Sequence, residues 1–202
     1  MNVFPLFSTP LYYNKLEFDL NSLLKSVKEI EYEFHVDGYC SKDQFILDSF
    51  PEIKELIERE LNSFLRDELK ISEELTLKHT SSWVMKHVTG NKSDSHIHSN
   101  SMYSGILYLQ TDEQSGEIEF SIPSIIPTYC TSTLNPQFSI KEWNILNSRV
   151  WSKAPEPKEI LIFPSHLSHG VKESKSSKER YCIAFNYILT GEYSVKTGYL
   201  KL

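Results

Sequence analysis

Residues 159–189 read EILIFPSHLSHGVKESKSSKERYCIAFNYIL, and this stretch decides the architecture. EILIFP (159–164) and RYCIAFNYIL (180–189) are rich in β-branched and aromatic residues, the composition of strands. Between them lie a PSHLSHG turn and a polar loop in which Lys172, Lys175 and Lys178 are interspersed with Glu173 and Glu179, which reads as solvated surface. The strand signature recurs upstream in LTLKHTSSWVMKH (75–87), SMYSGILYLQ (101–110) and GEIEFSI (116–122). Gly116 and the polar residues beside it (TDEQSG) predict a hairpin turn between the last two. The stretch 123–157, carrying Pro123, Pro127, Pro136, Pro155 and Pro157, reads as a long, partly irregular connection lying over a site.

Ahead of residue 75 the pattern differs. Residues 1–18 read as extended chain, broken by Pro5 and Pro10. Over 19–34, Leu20, Leu23, Leu24, Val27 and Ile30 share one face at helical spacing, with Asp19 as cap. A second helix is predicted over 50–69, where Ser49 and Glu52 make an S-x-x-E capping box and Pro51 sits in the first turn. Ile53, Leu56, Ile57, Leu61, Phe64 and Leu65 form its apolar stripe. Both stripes read as packing faces with no chemistry attached. Helices first and strands after predict a single α+β domain over 1–202, with a mostly helical support (1–75) buttressing a β-sandwich or barrel (76–202).

The composition narrows the function classes. At 202 residues the chain can bury a sizeable core, and its aromatic share of 12% favours strands. The net charge of −6 argues against broad nucleic-acid binding, which leaves a basic footprint. Cys40, Cys130 and Cys182 are odd in number, far apart and without a CxxC, so a reducing compartment is expected. No apolar run reaches the roughly 20 residues of a membrane span, and the N-terminus has no signal-peptide pattern. A cytoplasmic location is the expectation.

Seven histidines are present. His96 and His98 stand in DSHIHSNS, two residues apart, so in extended chain their rings point to one face and can grip one ion. Alone, an H-x-H is more often polar surface than a metal site. His169 adds weight, because it follows the strand EILIFP and a sheet folding back on itself would bring it beside the pair. Arg180 opens the next strand, 11 residues on (180 − 169), where its planar fork suits a carboxylate; the bland alternative is a surface ion pair with Glu179 or another acid.

Taken together, LFSTPLYY, SSWVMKHVTG, HIHSNSMYSGILYL, SGEIEF, ILIFPSHLSHGV and ERYCIAFN resemble the Fe(II)/2-oxoglutarate oxygenases, in particular a small prolyl-hydroxylase-like branch common in phages and marine bacteria. Their order, their spacing and the FPS-x-x-x-H-x-V turn are far more specific than any single motif, and they run through almost the whole chain. The resemblance implies a double-stranded β-helix, a jelly roll of the cupin type, with buttressing N-terminal helices. It implies Fe(II) as metal and 2-oxoglutarate as cosubstrate, with a hydroxylase reaction as the outcome. His96 takes the first metal position, His169 the distal one, and Arg180 that of the cation binding the cosubstrate's distal carboxylate. His98 stands where most members carry an acid. Three imidazoles can still hold Fe(II) on one octahedral face, though with less charge compensation; the alternative is that His98 points away and Asp94 serves instead.

Ser104 and Tyr108 share one strand face, opposite Tyr103, and with Asn186 complete the candidate cosubstrate-binding residues. Trp83 reads as core, and His166 as the wall of the turn and the reserve ligand. No catalytic residue beyond the metal site is indicated. The partner is an unspecified substrate, a small molecule or a protein side chain. Two other readings stay open: a three-histidine cupin-like metal enzyme without 2-oxoglutarate, and a non-catalytic barrel.

Overall fold

The computed structural model describes residues 8–122, 140–193, 198 and 200–202. The chain runs through β1 (Tyr12–Lys15), α1 (Leu20–Glu29), β2 (Tyr32–His35), β3 (Gly38–Ser41), a 3-10 turn (Ile46–Ser49) and α2 (Pro51–Asn62). Then follow β4 (Thr76–His87), β5 (Ser93–His96), β6 (Tyr103–Gln110), β7 (Ile118–Ser121), β8 (Val150–Lys153), β9 (Glu159–Pro164), β10 (Ser168–Val171), β11 (Arg180–Thr190) and a small pair, β12 (Glu192–Tyr193) and β13 (Leu200–Lys201).

Seven strands form one antiparallel sheet in the order β1-β9-β6-β11-β4-β3-β2, and four form a second in the order β5-β10-β7-β8. β11 lies at the centre of the large sheet, paired along its length with β4 on one side and β6 on the other. Strand alternation gives the large sheet two unlike faces. Leu107, Ile160, Ile162, Ile183 and Tyr187 turn outward and pack on Leu23 and Val27 of α1 and on Ile53, Ile57 and Leu61 of α2. Burying each such side chain contributes about 1.5–3 kcal/mol. Ile106, Tyr108, Leu161, Phe163 and Cys182 turn inward against Ile118 and Phe120 of the small sheet. Two facing antiparallel sheets, with helices against the outside of the larger, make the double-stranded β-helix expected from the sequence.

Three local expectations are corrected. The first helix ends at Glu29, not 34, because Ile30 is extended and YEFH folds back as the β2–β3 hairpin. Aromatic residues at 32 and 34 found cross-strand partners, and pairing outweighed a weak helical propensity. The capping box does not form: Ser49 belongs to the 3-10 turn, Phe50 occupies the cap without a side-chain bond, and Pro51 opens α2. Asp19 does cap α1, accepting from the Ser22 amide at 3.0 Å. The C-terminal end of the second helical segment widens into a π-helical turn over Ser63–Glu68.

The third correction concerns TDEQSG. It is not a hairpin turn, since β6 and β7 lie in different sheets and the segment carries the chain across. Gly116 permits the crossing: its φ is +81°, and a Cβ there would strike the Lys172 carbonyl. Of the Pro-rich stretch 123–157, residues 123–139, with Pro123, Pro127, Cys130 and Pro136, lie outside the described residues, as do residues 1–7 with Pro5. The first 75 residues supply β1, β2 and β3 to the large sheet as well as the helices. Among the described residues, no helix is long and apolar enough to cross a membrane.

Candidate metal centre

The small sheet brings the histidines together. β5 and β10 run antiparallel with His96 directly opposite His169, and the register breaks just beyond, between His169 and Val171. His98 lies two residues past His96, just beyond the end of β5, tied down by its amide donating to the Ser165 carbonyl at 3.0 Å. One candidate ligand atom from each of the three rings lies within 4.8 Å of the others. Nε2 of His98 is 3.2 Å from Nε2 of His169. Adjacent ligand atoms around a metal with bonds of about 2.1 Å are about 3 Å apart, so the spacing suits a shared ion.

Two of the rings are oriented by main-chain carbonyls. Nδ1 of His96 donates to the Asp94 carbonyl and Nδ1 of His169 to the Leu167 carbonyl, each at 2.8 Å. Their Nε2 lone pairs are thereby left for a ligand, the arrangement metal-binding imidazoles use. Burial pushes His98 and His169 down to about 4, with the neighbouring histidines adding to it, so both are neutral and ligand-competent well below neutral pH. Asp94 contributes its carbonyl rather than its acid: the exposed carboxylate pairs with Lys92 at 2.7 Å. His166 is exposed on the turn, outside the cluster.

The histidines line a cavity that also reaches Arg180. Arg180 begins β11, opposite His87 at the end of β4. Its guanidinium is 1% exposed, lies 5.2 Å from the Tyr108 ring centre, and has Nη1 3.4 Å from the Gly116 carbonyl. Among the described residues Arg180 Nε, the Tyr108 hydroxyl and both ring nitrogens of His87 are buried without a partner. Burial first, then Arg180, pushes His87 down to about 3, so it stays neutral beside the guanidinium. A buried cation ringed by unsatisfied polar atoms is costly unless an anion meets it. One carboxylate would satisfy the guanidinium and the phenol together, which is the fit 2-oxoglutarate's distal end requires.

Of the remaining sequence candidates, Ser104 lines the cavity and Asn186 lies behind it. Asn186 is six residues from Arg180 on the same face of β11, about 20 Å away along the strand. It pairs across the sheet with Ser104 of β6 and Ser81 of β4, and its amide bonds Ser104 and His98 rather than groups near Arg180. Tyr103 faces the opposite side and packs on Phe64. Two cavity residues escaped the sequence reading. Trp83, taken as core, is only half-buried and lies nearly parallel to the His98 ring at 5.9 Å. His87 shares its face of β4 with Ser81, Trp83 and Met85; that parity was the available signal.

The family model described as "Putative 2OG-Fe(II) oxygenase" matches residues 81–186, a span that holds all three clustered histidines and Arg180. The chain is similar in structure to a 2OG-Fe(II) oxygenase family oxidoreductase from Burkholderia pseudomallei, at 12% identity and a TM-score of 0.58, covering 83% of this chain and 76% of that one. It is similar to HygX from Streptomyces hygroscopicus, solved with nickel and 2-oxoglutarate, at 11% identity and a TM-score of 0.60, covering 89% and 82%. It is also similar to a Pseudomonas putida prolyl-4-hydroxylase, at 11% identity and a TM-score of 0.56, covering 90% and 94%. No curated protein matches the sequence. At these identities the solved structures establish the fold, while the family model covers more than half the sequence: the chain belongs to the 2OG-Fe(II) oxygenase family.

Proposed function

We propose that the chain is an Fe(II)- and 2-oxoglutarate-dependent hydroxylase acting on a small molecule or a protein side chain. The observation that carries this reading is the single cavity with three histidines at one end and a buried, under-satisfied arginine at the other. His96, His98 and His169 would hold the iron. Fe(II) held there, with 2-oxoglutarate, supplies oxygen activation coupled to oxidative decarboxylation, and the outcome is oxidation of a substrate C–H bond.

The protein's own task is placement and exclusion of water. Arg180 pairs with the distal carboxylate in a buried setting, where a charge-assisted bond is stronger than at the surface. Tyr108 donates to the same carboxylate, and neutral His87 adds a donor without a second charge. Phe163 and Phe120 pack edge-on to each other beside His169 and keep that side of the site dry. Trp83 flanks His98 and is only half-buried, which makes it the natural wall for a substrate. The similarity to a prolyl-4-hydroxylase favours hydroxylation as the reaction. The net charge of −6 disfavours nucleic acid as the substrate.

The test is consumption of 2-oxoglutarate with release of succinate under air. Formation that requires added Fe(II) and disappears in Arg180→Met supports the reading. Metal binding with no succinate under any condition favours a three-histidine enzyme that uses no 2-oxoglutarate.

A further inference from the structure

The three clustered histidines are not held by the same sheet. His96 ends β5 and His169 lies on β10, both in the small sheet, and each ring is fixed by a main-chain carbonyl that no side-chain substitution removes. His98 lies past the end of β5, and its ring is held from the large sheet. Its Nδ1 is 3.1 Å from Nδ2 of Asn186 on β11. The indole of Trp83 on β4 lies 5.9 Å from the same ring, 22° from parallel. Asn186 is anchored in its turn. It stands in register with Ser104 of β6 and Ser81 of β4, with Oδ1 2.7 Å from the Ser104 hydroxyl and Nδ2 3.0 Å from that of Ser81. An amide has a donor on one side and an acceptor on the other, and hydroxyls serve as either, so this clamp holds whichever way the amide is turned.

The Ser104 hydroxyl also contacts that of Ser165 at 2.8 Å, and the Ser165 carbonyl accepts the His98 amide at 3.0 Å. The bonds close a circuit that runs from the main chain of His98 through Ser165, Ser104 and Asn186 back to its own ring. Asn186 is 1% exposed, Ser104 2% and Ser165 1%, so water does not compete for these contacts, and buried bonds in a chain reinforce one another. We infer that Asn186 is a positioning residue of the metal site: through its amide the large sheet sets the ring of His98 against the two histidines of the small sheet. This rests on the reading of His98 as a metal ligand. The main chain holds the backbone of His98, but only Asn186 and Trp83 hold its ring, and a stacked indole leaves the ring free to turn in its own plane. A leucine at 186 would fill the same space and leave the edge of the imidazole unfixed.

The test measures Co(II) affinity by calorimetry, together with the visible spectrum of the bound Co(II), which reports its coordination geometry. Asn186→Leu is expected to weaken Co(II) binding by about 10- to 100-fold, the usual effect of losing an outer partner of a metal-bound imidazole, and to change the spectrum. Ser104→Ala, which removes only the anchor of the amide, is expected to give a smaller loss in the same direction. In a His98→Ala background, itself weaker than the wild type, neither substitution is expected to lower affinity further, because the ring they position is gone. Equal losses in both backgrounds would mean that Asn186 only supports the fold, and would overturn the positioning role. Wild-type affinity and spectrum in folded Asn186→Leu would overturn it too; if that variant does not fold, Ser104→Ala in the two backgrounds decides. Wild-type affinity in His98→Ala would instead overturn the ligand assignment beneath it.

Discussion

The two ends of β11 solve opposite problems. At the Asn186 end a row of side chains is mutually paired: serine to serine, serine to amide, amide to imidazole. At the Arg180 end, by contrast, three residues bury polar atoms with no partner among the described residues. The first end is neutral, and its hydrogen bonds orient the histidine rings while leaving Nε2 of His96 and His169 for a ligand. The second holds a desolvated charge, so its ligand relieves a cost already present. The fold therefore holds an uncompensated charge at one end and a set of oriented imidazoles at the other.

Substitutions can break this contrast, and the largest effect is expected at the metal end. His169→Ala should weaken binding of Co(II) or Mn(II) by more than about 100-fold, beyond what outer partners alone contribute. Calorimetry checks it; near-normal affinity would remove His169 from the site. Next comes Arg180→Met, which should change two quantities in opposite directions. Loss of the buried charge and its orphaned Nε donor should stabilise the ligand-free protein by about 1–3 kcal/mol, read from urea midpoints. Its response to 2-oxoglutarate should be lost. A destabilised Arg180→Met would mean the guanidinium is already satisfied.

The third effect is one of pH. His98 and His169 fall to about 4 and His87 to about 3, all below the ordinary value. The unfolded chain therefore binds protons, from about pH 6.5 downward, that the folded chain refuses, so stability falls as pH falls. Each such histidine adds up to about 1.4 kcal/mol per pH unit, until its folded form titrates. His87→Phe should flatten the metal-free stability profile between about pH 6 and 4; an unchanged slope would show that His87 is protonated in the fold. The smallest effect belongs to Asp94→Asn. Because only the main-chain carbonyl of Asp94 touches His96, metal affinity should change less than about twofold, as for an exposed surface pair.

The sequence revealed the parts of the molecule whose pattern is local. β4, β6, β9 and β11 announce themselves by β-branched and aromatic residues, and α2 by its stripe. β5 (SDSH) and β10 (SHGV) do not, being short and polar, yet their pairing is what places His169 against His96. H-x-H was readable because the two residues are neighbours in the chain. The partnership of Arg180 with His87, and of Asn186 with Ser81 and Ser104, depends on strand register, which no local window contains. The same limit explains TDEQSG: its composition signals a turn, but whether a turn returns to its own sheet or crosses to another is decided by distant strands.

The central claim is that one cavity holds a metal at the histidines and a carboxylate at Arg180. Its most direct test is an anaerobic titration of Fe(II)-loaded protein with 2-oxoglutarate, following the weak visible charge-transfer band of the chelated complex. The account predicts a saturable band in the wild type, and in Arg180→Met a band that needs at least about 30-fold more 2-oxoglutarate, the loss expected when a buried charge partner is removed. Bound Fe(II) with no band, or a band unaffected by Arg180→Met, would contradict it.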